Sequence, residues 1–314
     1  VTHQSAGNPF GFQMVGLGQL VDDHPLCPWK WKLTDDELYV SVDSTEDEFK
    51  RFVGVFADPL VPADRGHLIT VVGASGYGKT SLTHRCAAWL EGVGLPAKGK
   101  AGEIVDLHRE DIGPVLEERF RRIYRLLVLK LGAPANLANH KAELNEYAED
   151  PLLGYSRLSE LLSDRFVAIV LLPPTKVTGE LPKYYNLAQN RENLIFFAES
   201  GTAEVGQECR SVIPENAGHT SLSLGPLKDG DAWEFAQARV NRFNPPQVTL
   251  SFSKKELNDM LRDARSLKAV RALQVLFFHL YREALRDGRK AITEDDVRRF
   301  YMRHSTLNLN DLNR

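Results

Sequence analysis

The order of apolar and polar positions changes character along this chain. The first 40 residues are irregular and carry Gly11, Gly16, Gly18, Pro25 and Pro28. Asp43–Ala57 then reads as a helix, because Phe49, Phe52, Val53 and Phe56 fall at i, i+3, i+4 and i+7, one apolar stripe. Thr45 and Glu48 ahead of it have the spacing of a capping box. Beyond Pro59, Pro62 and Gly66, short apolar runs alternate with helical spacing. The runs predict strands at His67–Val72, Glu103–Leu107, Phe166–Leu172, Asn193–Phe197 and Ser221–Leu224. Helices are predicted between them near Ser81–Leu90, at Ile112–Leu131, which Gly132 ends, and at Arg157–Asp164. Such alternation predicts an α/β fold, a mostly parallel five-stranded sheet with helices on both faces.

After Gly225 only the helical period remains. Asp231–Phe243 places Trp233, Ala236 and Val240 on one face. Ser253 and Glu256 form a second capping box, starting a helix with Leu257, Met260 and Leu261. Leu267–Leu285 and Thr293–His304 complete the set. The chain thus reads as an N-terminal arm over residues 1–42, a sheet domain over 43–230, a small C-terminal helical lid over 231–304 and a polar tail over 305–314.

Charge narrows the function classes. Lys and Arg number 39 against 42 Asp and Glu, a net charge of −3, so binding to nucleic acid by bulk charge is excluded. With 43% hydrophobic residues the chain is not an acidic disordered one. Cys27, Cys86 and Cys209 are far apart and form no CxxC pair, which excludes a zinc ribbon or thioredoxin motif and fits the reducing cytoplasm. No apolar run approaches the ~20 residues of a membrane helix, and no basic-then-apolar leader opens the chain, so no membrane partner is expected. Two local patterns remain. Trp29 and Trp31 alternate with Lys30 and Lys32, which predicts a half-buried strand or tether, with a stacking surface for single-stranded nucleic acid as the alternative. Arg119, Arg121, Arg122 and Arg125 stand beside Glu117 and Glu118, which predicts a solvated helix face with internal ion pairs.

One motif carries chemistry. Gly73-Ala74-Ser75-Gly76-Tyr77-Gly78-Lys79-Thr80 fits GxxxxGK[ST], the P-loop, with a buried strand before it and a helix through Ser81 after it. Its glycines let successive backbone N–H groups point at phosphate oxygens, and the helix adds its positive end. Lys79 is expected on the β- and γ-phosphates and Thr80 on Mg²⁺. The expected cofactors are therefore ATP and Mg²⁺. The nine histidines show no metal-ligand spacing of their own.

The chain over roughly residues 40–304 resembles the AAA+ ATPases, in particular the origin-recognition and initiator clade, its relatives in transposition control and the neighbouring STAND ATPases. The resemblance rests on Glu46–Phe56, the P-loop, Leu222-Ser-Leu-Gly-Pro-Leu227 and Ala291-Ile-Thr-Glu-Asp-Asp-Val297. It implies ATP held between sheet and lid, a Walker B strand ending in Asp-Glu, a polar sensor after the fourth strand, an arginine finger and a sensor-2 arginine. The Walker B strand departs from this pattern, because Phe166–Leu172 runs into Pro173-Pro174-Thr175. Loss of the acid predicts slow or absent hydrolysis, since a general base contributes ~10²–10⁴-fold.

By the same resemblance Glu199, beside Ser200, is the substitute acid, with a solvated loop acid as the alternative. Asp106 is a weaker substitute of the kind a P-loop phosphotransferase would use. Arg210 corresponds to a finger acting in a neighbouring subunit, and Arg271, rather than Lys268 or Arg265, to sensor 2. The implied function is a nucleotide-dependent assembly switch, as a homo- or hetero-oligomer with a protein partner or DNA. A non-catalytic scaffold subunit and a phosphotransferase are the alternatives. The chain stops about ten residues past the lid; the winged-helix reader that initiator relatives add there is not expected.

Overall fold

The computed structural model of the chain describes residues 8–10, 12–13, 20–21, 26–31, 39–57, 66–131, 135–162, 165–175, 177–191, 193–201, 218–241, 246–262 and 268–304. The chain divides into two compact units. One comprises Asp47–Ala74 and Leu82–Leu224, the other Val1–Glu46, Ser75–Ser81 and Gly225–Arg314.

The first unit is built on a sheet of β1 (His67–Val72), β2 (Ala101–Asp106), β3 (Phe166–Leu171), β4 (Leu194–Ser200) and β5 (His219–Ser223). All five are parallel, in the order β2-β3-β4-β1-β5. Both faces are covered, so the inner strands read as continuous apolar runs rather than alternating ones. On one face, Phe52 of α1 (Thr45–Ala57) packs against Trp89 of α2 (Lys79–Trp89) and Phe197 of β4, while Phe56 meets His67. On the other lie α3 (Leu116–Lys130), α4 (Ala135–Glu146), α5 (Pro151–Leu161) and α6 (Glu180–Gln189). Phe120, Tyr155 and Tyr184 from these helices ring Phe196 of β4. Two histidines cross-link β1 and β5. His67 Nε2 shares a hydrogen bond with Thr220 Oγ1 (2.9 Å), and His219 Nε2 one with Thr70 Oγ1 (3.0 Å).

Several elements differ from their predicted limits for identifiable reasons. α5 starts at Pro151 rather than Arg157, because Asp150 caps it by accepting the Leu153 N–H and Pro151 suits the first helical position. α3 starts at Leu116 because Gly113, at φ +74°, and Pro114 precede it. β4 runs on to Ser200 and β5 begins at His219. Pro28–Trp31 is a single helical turn, not a strand. The Thr45–Glu48 box is not made: the Thr45 hydroxyl donates to the Val42 carbonyl (2.6 Å) and Glu48 pairs with Arg51. Of the arginines on α3, Arg121 and Arg125 pair with Glu149 at the surface, but Arg119 is buried.

The second unit contains α7 (Asp231–Asn241), α8 (Lys254–Arg262), α9 (Val270–Arg286) and α10 (Glu294–His304). A two-residue parallel pair, Thr249–Leu250 with Ala291–Ile292, ties the loops that precede α8 and α10. Phe235, Leu257, Leu273, Phe277 and Tyr281 form its core together with Phe10 and Val42 from the arm. The predicted box on α8 is present. Ser253 N–H donates to Glu256 Oε2 (2.6 Å) and Glu256 N–H to Ser253 Oγ (3.2 Å). Ser253→Ala should therefore cost about 1 kcal/mol in urea unfolding, and Ser253→Asp should largely restore it.

Asp43, at φ +54°, is a hub in this unit. Its carboxylate accepts the Gly225 N–H (2.8 Å), and its own N–H donates to Asp231 Oδ2 (2.7 Å). Among the described residues no helix is long and apolar enough to cross a membrane.

Candidate phosphate-binding site

β1 delivers the chain at Val72 into the loop Gly73–Gly78, and α2 begins at Lys79. Gly76 and Gly78 take φ +83° and +89°, a region that side-chain-bearing residues rarely adopt. Ala74 and Ser75 are exposed, and Gly76, Tyr77, Gly78, Lys79, Thr80 and Ser81 are half-buried. Lys79 and Thr80 are the first two residues of α2, where the helix dipole favours an anion. Ser81 is held by the arm: its Oγ accepts the Leu26 N–H (3.0 Å) and its carbonyl accepts the Tyr39 hydroxyl (3.1 Å).

Arg271 lies at this loop. Its N–H donates to the Gly76 carbonyl (3.1 Å), and a Cβ placed on Gly76 would meet the Arg271 Cβ at 3.3 Å. Lys268 instead lines a shallow cleft with Lys228 and Arg262, and its carbonyl accepts the Leu227 N–H (2.9 Å). Arg265 and Arg210 lie outside the described residues.

Within the sheet unit, the Gly73 N–H donates to the Ser200 carbonyl (3.2 Å). Glu199 is in register with Val71 of β1 and is only 4% exposed, so it is a buried strand residue and not a loop acid. His108 Nδ1, two residues beyond β2, stands 3.6 Å from Glu199 Oε1. The His84 ring, on α2, meets the His108 ring edge-on at 6.4 Å. Asp106 ends the edge strand β2, where its Oδ1 accepts the His108 N–H (3.1 Å) and closes a local turn. Among the described residues no group of His, Cys, Asp or Glu is arranged to hold a metal ion by itself.

β3 runs into Pro173-Pro174 rather than into a pair of acids. Leu172 N–H donates to the Phe197 carbonyl (2.8 Å). The next ladder donor would be residue 174, but Pro174 has no N–H. Thr175 takes over, donating to the Glu199 carbonyl (2.8 Å) and bridging to Ser200. The strand end thus carries one extra residue, a β-bulge. Arg119 fixes it from below. Its guanidinium donates to Pro174 O (3.3 Å), Gly113 O (2.9 Å) and both Glu180 carboxylate oxygens (3.1 Å). Nothing in the spacing of the four arginines on α3 singled out Arg119; the signal available was its position beside the helix-opening Gly113-Pro114.

No known family model and no curated protein matches the sequence. Solved structures do match it. The ORC2 protein of Aeropyrum pernix, in its ADPNP–ADP complexes, aligns with a TM-score of 0.60 at 14% identity, over 84% of this chain and 68% of that one. The ORC1 protein of Aeropyrum pernix in complex with DNA aligns at 0.53 and 16%, over 83% of this chain and 65% of that one. Drosophila ORC bound to DNA aligns at 0.53 and 14%, over 91% and 70%. This chain spans about two thirds of the length of these proteins. It has the AAA+ P-loop NTPase fold of these proteins.

Proposed function

We propose that the chain binds ATP with Mg²⁺ on Gly73–Ser81 and uses the nucleotide to switch its assembly with copies of itself or with a protein or DNA partner, hydrolysing it slowly or not at all. The observation that carries this reading is the strand–loop–helix of Val72–Thr80 with the Arg271 backbone on Gly76. The residues present suit the ligand: two positive-φ glycines, a helix N-terminus, one lysine and one threonine hydroxyl. Lys79 would hold the β- and γ-phosphates, Thr80 would ligate Mg²⁺ and Arg271 would complete the phosphate side. Bound Mg²⁺ neutralises phosphate charge. Glu199, with His108 beside it, is the acid proposed to orient water, and Arg210 the group proposed to act in a neighbouring subunit. The Pro173-Pro174 bulge supports slow turnover.

A fluorescent ATP analogue titrated with Mg²⁺ tests the reading. Lys79→Ala should weaken binding roughly 10–100-fold, the worth of hydrogen bonds from a charged donor. No saturable binding by the parent chain would overturn the proposal. Light scattering with ATP, with ADP and without nucleotide should show different assembly sizes. Rapid phosphate release that disappears in Glu199→Gln would refute the slow-turnover part and make Glu199 the base. The same bulge favours a second reading, a scaffold subunit that keeps nucleotide for stability. In that case Lys79→Ala lowers the melting temperature while assembly is unchanged. A phosphotransferase is disfavoured, because the Asp106 carboxylate is engaged by its own turn. Any DNA binding should weaken as salt rises, as phosphate contacts require.

A further inference from the structure

The helical unit carries a cleft that the nucleotide site does not use, where the start of α7 meets α8. Its floor is apolar, made by the buried Leu227, Ala232 and Leu261. Two polar side chains on its wall are placed by backbone hydrogen bonds. The Lys268 carbonyl accepts the Leu227 N–H (2.9 Å), which seats the half-buried Lys268 beside the floor. Asn258 Oδ1 accepts the Gly230 N–H (3.0 Å), so what Asn258 has to offer a ligand is its NH₂ group. Among the described residues, neither the Lys268 ammonium nor the Asn258 NH₂ has a partner. A half-buried donor has lost part of its hydration, and an acceptor brought by a ligand restores it.

The charge around the cleft is mostly positive. Arg262, at the rim, is paired with Asp259 (2.7 Å), but Lys228 Nζ donates to the neutral Asp43 carbonyl (3.3 Å), which leaves its charge uncompensated. Between residues 231 and 304 fifteen Lys and Arg stand against ten Asp and Glu, in a chain whose net charge is −3. Such a field draws anions to this unit. The cleft then selects among them. A carboxylate on an aliphatic stem can put its oxygens on Lys268 and Asn258 and its methylenes on the apolar floor. Asp229, exposed at the cleft, suits the backbone N–H groups of a peptide, because an ionised carboxylate only accepts. A nucleic-acid backbone brings no such stem, and Asp229 repels its phosphates. At about 300 Å³, partly open to solvent, the cleft is at the lower end of ligand-site volumes, room for a side chain rather than a nucleotide.

We propose that this cleft is a docking site for an acidic peptide segment of a protein partner, with a Glu or Asp carboxylate of the partner on Lys268 and Asn258. The proposal deepens the protein-partner part of the reading above and does not rest on the nucleotide.

The test titrates the full-length chain, at low salt and without nucleotide, into a fluorescein-labelled Leu-Glu-Glu-Leu peptide followed by anisotropy. Binding should saturate, and the Leu-Gln-Gln-Leu peptide should bind roughly 10-fold more weakly or worse, the worth of a charge-assisted hydrogen bond. Lys268→Glu should lose the acidic peptide and gain Leu-Lys-Lys-Leu. Lys255→Glu makes the same change of net charge at an exposed position of α8 outside the cleft, and should bind as the parent does. If Lys268→Glu does not fold, Lys268→Met keeps the stem, drops the charge and should bind roughly 10-fold more weakly. Absence of saturable binding overturns the proposal. Equal losses in Lys255→Glu and Lys268→Glu overturn it in favour of bulk charge. A short DNA duplex that displaces the peptide and itself depends on Lys268 overturns the peptide as the occupant. With no nucleotide present, a chain that fails to bind ATP still gives a peptide result, so the two readings fail separately.

Discussion

Arg119→Ala is expected to destabilise the sheet unit by about 3–5 kcal/mol, the cost of removing one partner from a buried ion pair. Arg119 is 6% exposed and Glu180 1%. Burial pushes the Glu180 carboxyl up, and the hydrogen bonds from Arg119 pull it back. Without Arg119 only burial remains, so Glu180 in the variant titrates above its unfolded range. Such a raised group supports the fold below the unfolded carboxylate range and loses that support as pH rises through the folded value. The deficit of Arg119→Ala should therefore be smaller near pH 4 than at pH 7.5. Arg119→Leu with Glu180→Leu should recover much of the loss, because an apolar pair of similar volume replaces two desolvated charges. Equal urea midpoints for Arg119→Ala and the parent chain would show that the pair contributes nothing.

Acidification should produce the second large effect. Burial, with the nearby His219 and Lys98, lowers the His67 pKa from its ordinary 6.5 to about 3. The unfolded chain takes up this proton near pH 6.5 and the folded chain only near pH 3. Between those values the unfolded state binds more protons, so stability rises with pH. The contribution is complete above pH 6.5 and falls on acidification, by about 3 kcal/mol at pH 4. The structural reason is burial: His67 lies in the sheet interior, where its ring also bonds Thr220 and joins β1 to β5. His67→Gln keeps a polar partner for Thr220 but does not titrate. Its unfolding free energy should change less between pH 7.5 and pH 4 than that of the parent chain. Identical pH profiles would remove His67 as the cause.

The sequence pattern was most legible where one residue's surroundings are its near neighbours. The phosphate loop, its strand and its helix are contiguous, and the Ser253–Glu256 box needs only three residues of spacing. The Thr45–Glu48 box has the same spacing, but Arg51 one turn on competes for the carboxylate and Val42 for the hydroxyl. Pro28–Trp31 is too short for its alternation to separate a strand from one helical turn. Glu199 was placed after its strand because two polar residues end an apolar run, yet pairing with β1 continues through Ser200. Long-range partners left no trace. Asn8 bonds to a carbonyl 270 positions away, and Arg119 to a carboxylate 61 positions away. Arg210 lies outside the described residues.

The bulge after β3 also bears on what introducing acids at this strand end would involve. Replacing Pro173-Pro174 by Asp-Glu would do more than add two carboxylates. It would return an N–H to position 174, the ladder position that Thr175 now fills through the Glu199 carbonyl. The regular register would then compete with the bulged one, drawing Thr175 and the chain into α6 forward by one residue, against the Arg119 clamp on Pro174 and Glu180. Carboxylates and register are thus coupled at this strand end: Asp-Glu at 173 and 174 would bring the acids only together with a competing pairing for Thr175. A designed pair of acids here is therefore a backbone change as much as a side-chain one.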